Sequence, residues 1–296
     1  MRMDFRQLEM FQAVAENSSF TLAGQHLYVA QSAISRKIRL LEEELGEKLF
    51  KRVNKRVFLT PAGEVMLRYT RRVFQELRNA SLEISDITEL RRGTIRIGSG
   101  MTACMYVLPP IIVKFQARYP KVEVQVVTGT AETLIPQIRN SALDMGVLTL
   151  PVNSPDLEVI PFATEEMVLV VSPKNRALGH RRSVNAEELK EYPMILFNRG
   201  TATRRLIDEY FARLGQYPRV VMESQDVASI KPLVAIDLGV SLLPLRAVAL
   251  EAKRGELHYL RIRGEKLTRA IGLVFQNSDY KPKALQELAA LFRSSS

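Results

Sequence analysis

The fold class the sequence predicts is α+β multidomain: a small helical N-terminal domain with a β-wing, one long helix, and a two-lobed α/β domain. Three observations predict it. Short apolar blocks at helical spacing fill the first 60 positions, a single helical pattern runs from 61 to about 90, and strand and helix patterns alternate from 93 onward. With 296 residues, 46% of them hydrophobic, the chain can build two or three domains and is neither disordered nor fibrous. Its apolar runs are too short for a membrane span and the opening MRMDFRQLEMFQ lacks a signal-peptide pattern, so a cytoplasmic protein is expected. The formal charge of +10 favours an anionic partner.

Leu8, Phe11, Val14 and Ala15 form one face of a first helix ending near Glu16, broken by Asn17-Ser18-Ser19. A second helix is expected from about Thr21 to Leu27 with Leu22, Ala23 and Leu27 inward. A third starts near Gln31, buries Ile34, Ile38, Leu41 and Leu45, and stops at Gly46. Its other face carries Gln31, Ser32, Ser35, Arg36 and Arg39. Residues 53–60 place Asn54-Lys55 at a turn between two extended arms, a small wing. Lys48, Lys51, Arg52, Lys55 and Arg56 stand there without an acid between them. Together these pieces make a winged helix-turn-helix.

The long helix, from Pro61 or Ala62 to about Leu90, repeats Met66, Tyr69, Val73, Leu77, Ala80, Ile84 and Ile87 at nearly heptad spacing. About 29 residues at 1.5 Å each span ~43 Å, more than a small domain needs. A dimerisation helix that also links two domains is therefore expected, ended by Arg91-Arg92-Gly93.

Beyond it, TIRIGSG, VEVQVVTG and LDMGVL read as strands with VLPPIIVKFQARY and ETLIPQIRN as helices between them, a parallel βαβαβ unit. A second set follows: MVLVVS, PMILF, a helix over 202–214, RVVME, a helix from Asp226 to Ile236, and GVSLLP. A stretch from Arg269 to Phe275 and a helix from Pro282 to Phe292 return to the first set. This is a two-lobed α/β periplasmic-binding-protein-like domain, whose ligands sit beyond the carboxyl ends of its strands, between the lobes.

The polar, basic face of the third helix suits a major groove, where residues at a helix start reach base edges while flanking cations hold phosphates. The DNA-binding set is Gln31, Ser32, Ser35, Arg36, Arg39, Arg52, Lys55 and Arg56. Gly98-Ser99-Gly100-Met101-Thr102-Ala103 fits G-x-G-x-x-A, yet the next strand ends in Thr128 and Gly129 where a ribose-binding acid is needed. Nucleotide binding is set aside. Helix starts after GSGMT, TGT and NRGT can instead hold a small anion, so the effector-binding set is Ser99, Gly100, Met101, Thr102, Thr128, Thr130, Asn198, Arg199, Thr201 and Gln225, with Arg199 or Arg204 as bidentate cation. His26, His180 and His258 lack metal-ligand spacing, Ser241 lacks a nucleophile elbow, and Cys104 is the lone cysteine and a small hydrophobe. No cofactor, metal or catalysis is expected.

FQAVAENSSFTLAGQHLYVAQSAISRKIRLLEEELGEKLFKR and LTPAGE closely resemble the winged helix-turn-helix of LysR-type transcriptional regulators, and IPF at 160–162 and DLGVSLLP at 237–244 resemble that family's effector-binding domain. The resemblance implies double-stranded promoter DNA, a small-molecule effector, a homodimer or homotetramer, and RNA polymerase as partners, with no membrane. It implies a DNA-binding domain over 1–60, a linker over 61–92, and an effector-binding domain over 93–296 with lobe I at about 93–163 and 269–296 and lobe II at about 164–268. Two departures stand out. Ala30, where the family usually has Ser, cannot cap the third helix, and Ser32 stands where Pro is common; Gly24 replaces the usual Ala at up to ~1 kcal/mol of helix propensity. The expected function is a ligand-responsive, sequence-specific DNA-binding regulator sensing a small anionic metabolite; a solute-binding module or transferase on the same two-lobed fold leaves the first 92 residues without a purpose, and an architectural DNA binder has no use for the two lobes.

Overall fold

The computed structural model describes residues 3–53, 56–87, 93–277 and 281–294. The chain divides into two compact units, Met1–Ser81 with Asn140–Ala142 and Leu82–Arg139 with Leu143–Ser296. Among the described residues no helix is long and apolar enough to cross a membrane.

In the first unit α1 (Phe5–Asn17) starts at a reciprocal cap: the Asp4 carboxylate accepts from Gln7 N–H and the Gln7 side chain accepts from Asp4 N–H. Then come α2 (Phe20–Leu27), capped by Ser19, and α3 (Gln31–Leu45), ended by Gly46 at φ 72°. Phe11, Val14, Ala23, Ile34, Ile38 and Leu41 form the core as the spacing predicts. Leu22 and Leu45, expected inward, are exposed, because each lies at the edge of a short helix's apolar stripe and turns past the core. Gly24 has a packing reason that outweighs its propensity cost. A Cβ there would lie 2.7 Å from the Val29 carbonyl oxygen, so with alanine this chain's turn would have to shift at Val29.

The wing is an antiparallel pair, β1 (Phe50–Val53) and β2 (Arg56–Leu59), with Phe50 opposite Leu59. Its first arm begins three residues earlier than expected, and the turn residues Asn54 and Lys55 lie outside the described residues. Glu42 on α3 fixes where the wing starts: its carboxylate accepts from Leu49 N–H at 2.9 Å and Phe50 N–H at 3.4 Å. Helix α4 (Pro61–Ile87) is seated on the same segment. A Cβ on Gly63 would lie 2.1 Å from the Leu49 carbonyl oxygen, which explains the glycine in the helix's first turn. Ala62, Met66 and Leu67 pack against Phe11, Leu41 and Leu49, so Met66 belongs to this core and not to the expected seam. Tyr69, Val73 and Leu77 remain exposed; the side chains of Ile84 and Ile87 and residues 88–92 lie outside the described residues.

The second unit is built on one sheet. β3 (Gly93–Ser99), β4 (Val122–Thr128) and β5 (Met145–Thr149) are parallel, as their βαβαβ pattern predicts. Strands β6 (Leu157–Val171), β7 (Ser183–Asn185), β10 (Ser241–Pro244), β11 (His258–Arg263) and β12 (Thr268–Gln276) complete the order β4-β3-β5-β12-β6-β11-β7, with β10 also on β6. A separate parallel pair, β8 (Pro193–Phe197) and β9 (Arg219–Ser224), joins β10's approach through a Met194–Val240 bridge. MVLVV is therefore the last third of a 15-residue strand and not the first strand of a separate set. Long β6 and β12 run antiparallel out of one apolar core, through Ile160, Phe162, Ile271 and Phe275, into another containing Met167 to Val171. Between the two cores the strands carry Glu165 opposite Arg269. Helices α5 (Met101–Tyr106), α6 (Leu108–Arg118), α7 (Ala131–Arg139), α8 (Ala202–Arg213), α9 (Val227–Ala235), α10 (Leu245–Lys253) and α11 (Lys283–Ser294) cover the strands.

Candidate nucleic-acid interface and effector cavity

Helix α3 presents its first turn to solvent. Gln31, Ser32 and Arg36 are exposed and Ser35 is half-buried, and none of these four side chains engages a partner among the described residues. Ala30 supplies no side-chain cap, as expected from its methyl group. Lys37, by contrast, points back: its ammonium donates to Asp4 at 2.9 Å, ties α3 to the start of α1, and holds the Asp4 carboxyl below the usual range. Arg39 lies 3.5 Å from Glu43 on an exposed face, a pair worth little in water. Arg52 lies on β1 and Arg56 on β2, one on each arm of the wing; Lys55 lies outside the described residues.

In the second unit a cavity of about 180 Å³ opens where the starts of α5, α7, α8 and α9 meet. Gly100, Met101, Thr102, Thr128, Thr130, Thr201 and Gln225 line it, with Thr149 and Thr203 adding hydroxyls and Val147, Leu148 and Phe197 an apolar wall. The side chains of Thr102, Thr128, Thr149 and Gln225 have no hydrogen-bond partner among the described residues. Each can turn to a ligand without breaking a bond. Thr201 and Asp226 are already committed as caps, accepting from Arg204 N–H and Ser229 N–H.

Three expected residues do not line the cavity. Ser99 is fully buried and its hydroxyl donates to the Gly100 carbonyl. Asn198 works through its backbone, which receives the Thr201 hydroxyl proton and donates to Ser224 O. Arg199 is exposed beside Glu223 at 3.6 Å. Arg204 is a second correction: it is buried, but its guanidinium donates to Asp208, Glu223 and the Phe197 carbonyl, which leaves it pointing away from a ligand.

The cation on the cavity wall is Arg269, a residue that no motif in the sequence marks. It is 2% exposed. Its Nε and Nη2 donate to Glu165 Oε2 and its Nη1 to Thr203 Oγ1, which accounts for three of the five N–H donors a guanidinium carries. Arg246 stands 3.8 Å from the other oxygen of Glu165. Arg269 is thus paired with Glu165, and the surplus positive charge of the group sits on Arg246, whose side chain is 46% exposed. At the cavity rim Arg205 on α8 donates to Glu132 on α7 at 2.6 Å and holds that carboxyl below its ordinary range. Among the described residues no group of His, Cys, Asp or Glu could hold a metal.

Comparison with known proteins identifies the family. Residues 5–64 match the family model described as bacterial regulatory helix-turn-helix protein, lysR family, and residues 88–296 match the LysR substrate binding domain. A probable RuBisCO transcriptional regulator of Cyanophora paradoxa is 31% identical, over 94% of this chain and 87% of that one. The RuBisCO operon transcriptional regulator of Allochromatium vinosum is 29% identical, over 99% and 95%. The fold is that of a full-length OxyR variant from Pseudomonas aeruginosa (TM-score 0.78, 23% identity, 99% and 95% covered) and of CbnR complexed with its target DNA (TM-score 0.72, 24% identity, 99% and 100% covered). These relatives are transcriptional regulators and not enzymes, so the transferase alternative falls away. The chain belongs to the LysR family and is a ligand-responsive, DNA-binding transcriptional regulator.

Proposed function

We propose that the effector is a small anionic metabolite held in the cavity against Arg269. One observation carries this: a buried guanidinium on the cavity wall has two N–H donors to spare and lies in a charge cluster with a net positive excess. Buried N–H donors left without an acceptor are expensive, and an anionic ligand would supply one while balancing the extra positive charge that Arg246 adds beside the pair. Unpartnered hydroxyls from Thr102, Thr128 and Thr149 favour a ligand with several oxygen atoms. Calorimetry of the full chain against carboxylates, phosphate esters and sulfate, each beside a neutral amide or ester of the same shape, tests the charge. Anions should bind and neutral isosteres should not. Equal binding of the neutral set would overturn the anionic effector and leave the regulator reading intact.

On DNA, the reading favours base contacts from Gln31, Ser32, Ser35 and Arg36 and phosphate contacts from Arg39, Arg52, Lys55 and Arg56 of the wing side. Arg36→Ala is expected to cost about 1–3 kcal/mol on a selected site and to relax preference at one base position, with little change on random duplex. A uniform loss on both, measured by fluorescence anisotropy, would make Arg36 a phosphate contact instead. Residues 61–92 are proposed as the dimer-forming linker between a head over 1–60 and a sensor over 93–296. The exposed Tyr69, Val73 and Leu77 stripe supports this, because a partner helix would cover it. Leu77→Glu places a charge in that seam and should raise the dimer dissociation constant about 10- to 100-fold. Unchanged sedimentation at nanomolar protein would mean that the stripe is not the seam. A dimer or tetramer on promoter DNA would then act on RNA polymerase.

A further inference from the structure

We infer that Tyr28, in the turn between α2 and α3, is a DNA contact whose phenol donates to a backbone phosphate beside the groove that α3 enters. Its setting is unusual twice over. Tyr28 is 96% exposed, more than any other large apolar or aromatic side chain described, and its ring and hydroxyl have no partner among the described residues. Its backbone also sits at φ 54°, ψ 41°, the left-handed region that bulky L-residues rarely adopt.

The backbone geometry itself is imposed by the turn. Tyr28 N–H donates to Gln25 O and Gly24 O, and Val29 N–H donates to Gly24 O at 2.9 Å, which closes α2 and aims the chain into α3. That closure needs a left-handed residue at 28, for which glycine or asparagine is the low-strain choice. A tyrosine adds strain and offers an aromatic ring to water. Neither packing nor stability gains from it, and strain kept at such a position is characteristic of a functional site.

Position names the partner. In a helix-turn-helix the first helix crosses the DNA backbone while the recognition helix enters the major groove, so an exposed side chain three residues ahead of Gln31 stands at the phosphate ridge. A phenol suits that place: its O–H donates to a phosphate oxygen and its ring lies along the sugars. It brings a donor without a positive charge, and that makes the contact separable from those of Arg36 or the wing.

The experiment uses the full chain, a duplex selected by the wild-type protein from a random library, and a shuffled duplex of equal length. Tyr28→Phe should weaken binding about 3- to 10-fold on both duplexes. The slope of log affinity against log salt should stay at its wild-type value, since no counterion-displacing cation is removed. Tyr28→Asn should lose affinity to a similar extent while raising the thermal stability of the first unit, because asparagine relieves the left-handed strain. Wild-type affinity in Tyr28→Phe would overturn the inference, whatever Tyr28→Asn does. A loss confined to the selected duplex would make Tyr28 a base reader, and a change in sedimentation would make it a contact between copies; either result also overturns it.

Discussion

Arg269→Met should abolish the response to an anionic effector, with a loss of about 2–5 kcal/mol in binding, the usual consequence of truncating one partner of a buried charge-assisted contact. The variant has a second effect that must be kept apart from the first. Removing the guanidinium strands Glu165, which is itself buried, with only the partly exposed Arg246 nearby. A carboxylate left so should cost about 3–5 kcal/mol of stability in the second unit. Replacing both members, Arg269→Met with Glu165→Leu, removes the stranded charge, and stability should return towards the wild-type value because paired buried ions are commonly neutral to replace as a pair. Effector binding should not return. If the double variant melts like the wild type and binds the anion equally well, Arg269 is a structural cation and the cavity recognises its ligand by other means. Glu165→Gln gives the opposite sign: with its internal competitor neutralised, Arg269 should bind the anion more tightly. Calorimetry on the three variants separates these outcomes.

Much of the first unit was legible in the sequence because its determinants are local. Ser19 before α2, Gly46 after α3 and the 4, 3 spacing of Ile34, Ile38 and Leu41 each act within one or two helical turns. The exceptions, Leu22, Leu45 and Met66, fail for one reason. A helical pattern reports which residues share a face, and only the neighbouring element decides whether that face is covered. In the second unit the parallel strands β3 to β5 could be read from alternation with helices, whereas the continuity of β6 through TEEMVLVV could not, since Thr164, Glu165 and Glu166 look like a break between apolar stretches. Arg269 escaped for the same reason. Its meaning arises from a cross-strand register that joins positions 104 apart, and a lone arginine ahead of AIGLVF carries no sign of it. Arg204 misled in the other direction. Its Asp208 partner, four residues along the same helix, was a visible signal that the guanidinium is already occupied.

Glu42→Ala should lower the stability of the first unit by about 2–5 kcal/mol and carry most of the DNA affinity away with it. Glu42 looks like one of several surface acids in LLEEELGEKLF, yet only its carboxylate is turned inward, accepting from Leu49 N–H, Phe50 N–H and the Lys48 ammonium. Alanine leaves the backbone donors of Leu49 and Phe50 without an acceptor, and a buried donor so abandoned costs about 1–3 kcal/mol. The ion pair is the lesser part: the Lys48 side chain is 71% exposed, so Lys48→Ala should cost under about 1 kcal/mol. Glu42→Gln keeps an oxygen for the amides and should stay close to wild type. The consequence for function follows from position, since Glu42 lies on the recognition helix and Phe50 opens the wing. On the proposed division of contacts, base edges and phosphates are read together only while those two elements keep one spacing. Hydrogen exchange provides the measurement: in Glu42→Ala the amides of α3 and β1 should lose protection together, while those of β3 to β6 keep theirs. If Lys48→Ala proved as damaging as Glu42→Ala, the staple would be the ion pair and the backbone amides would have another acceptor.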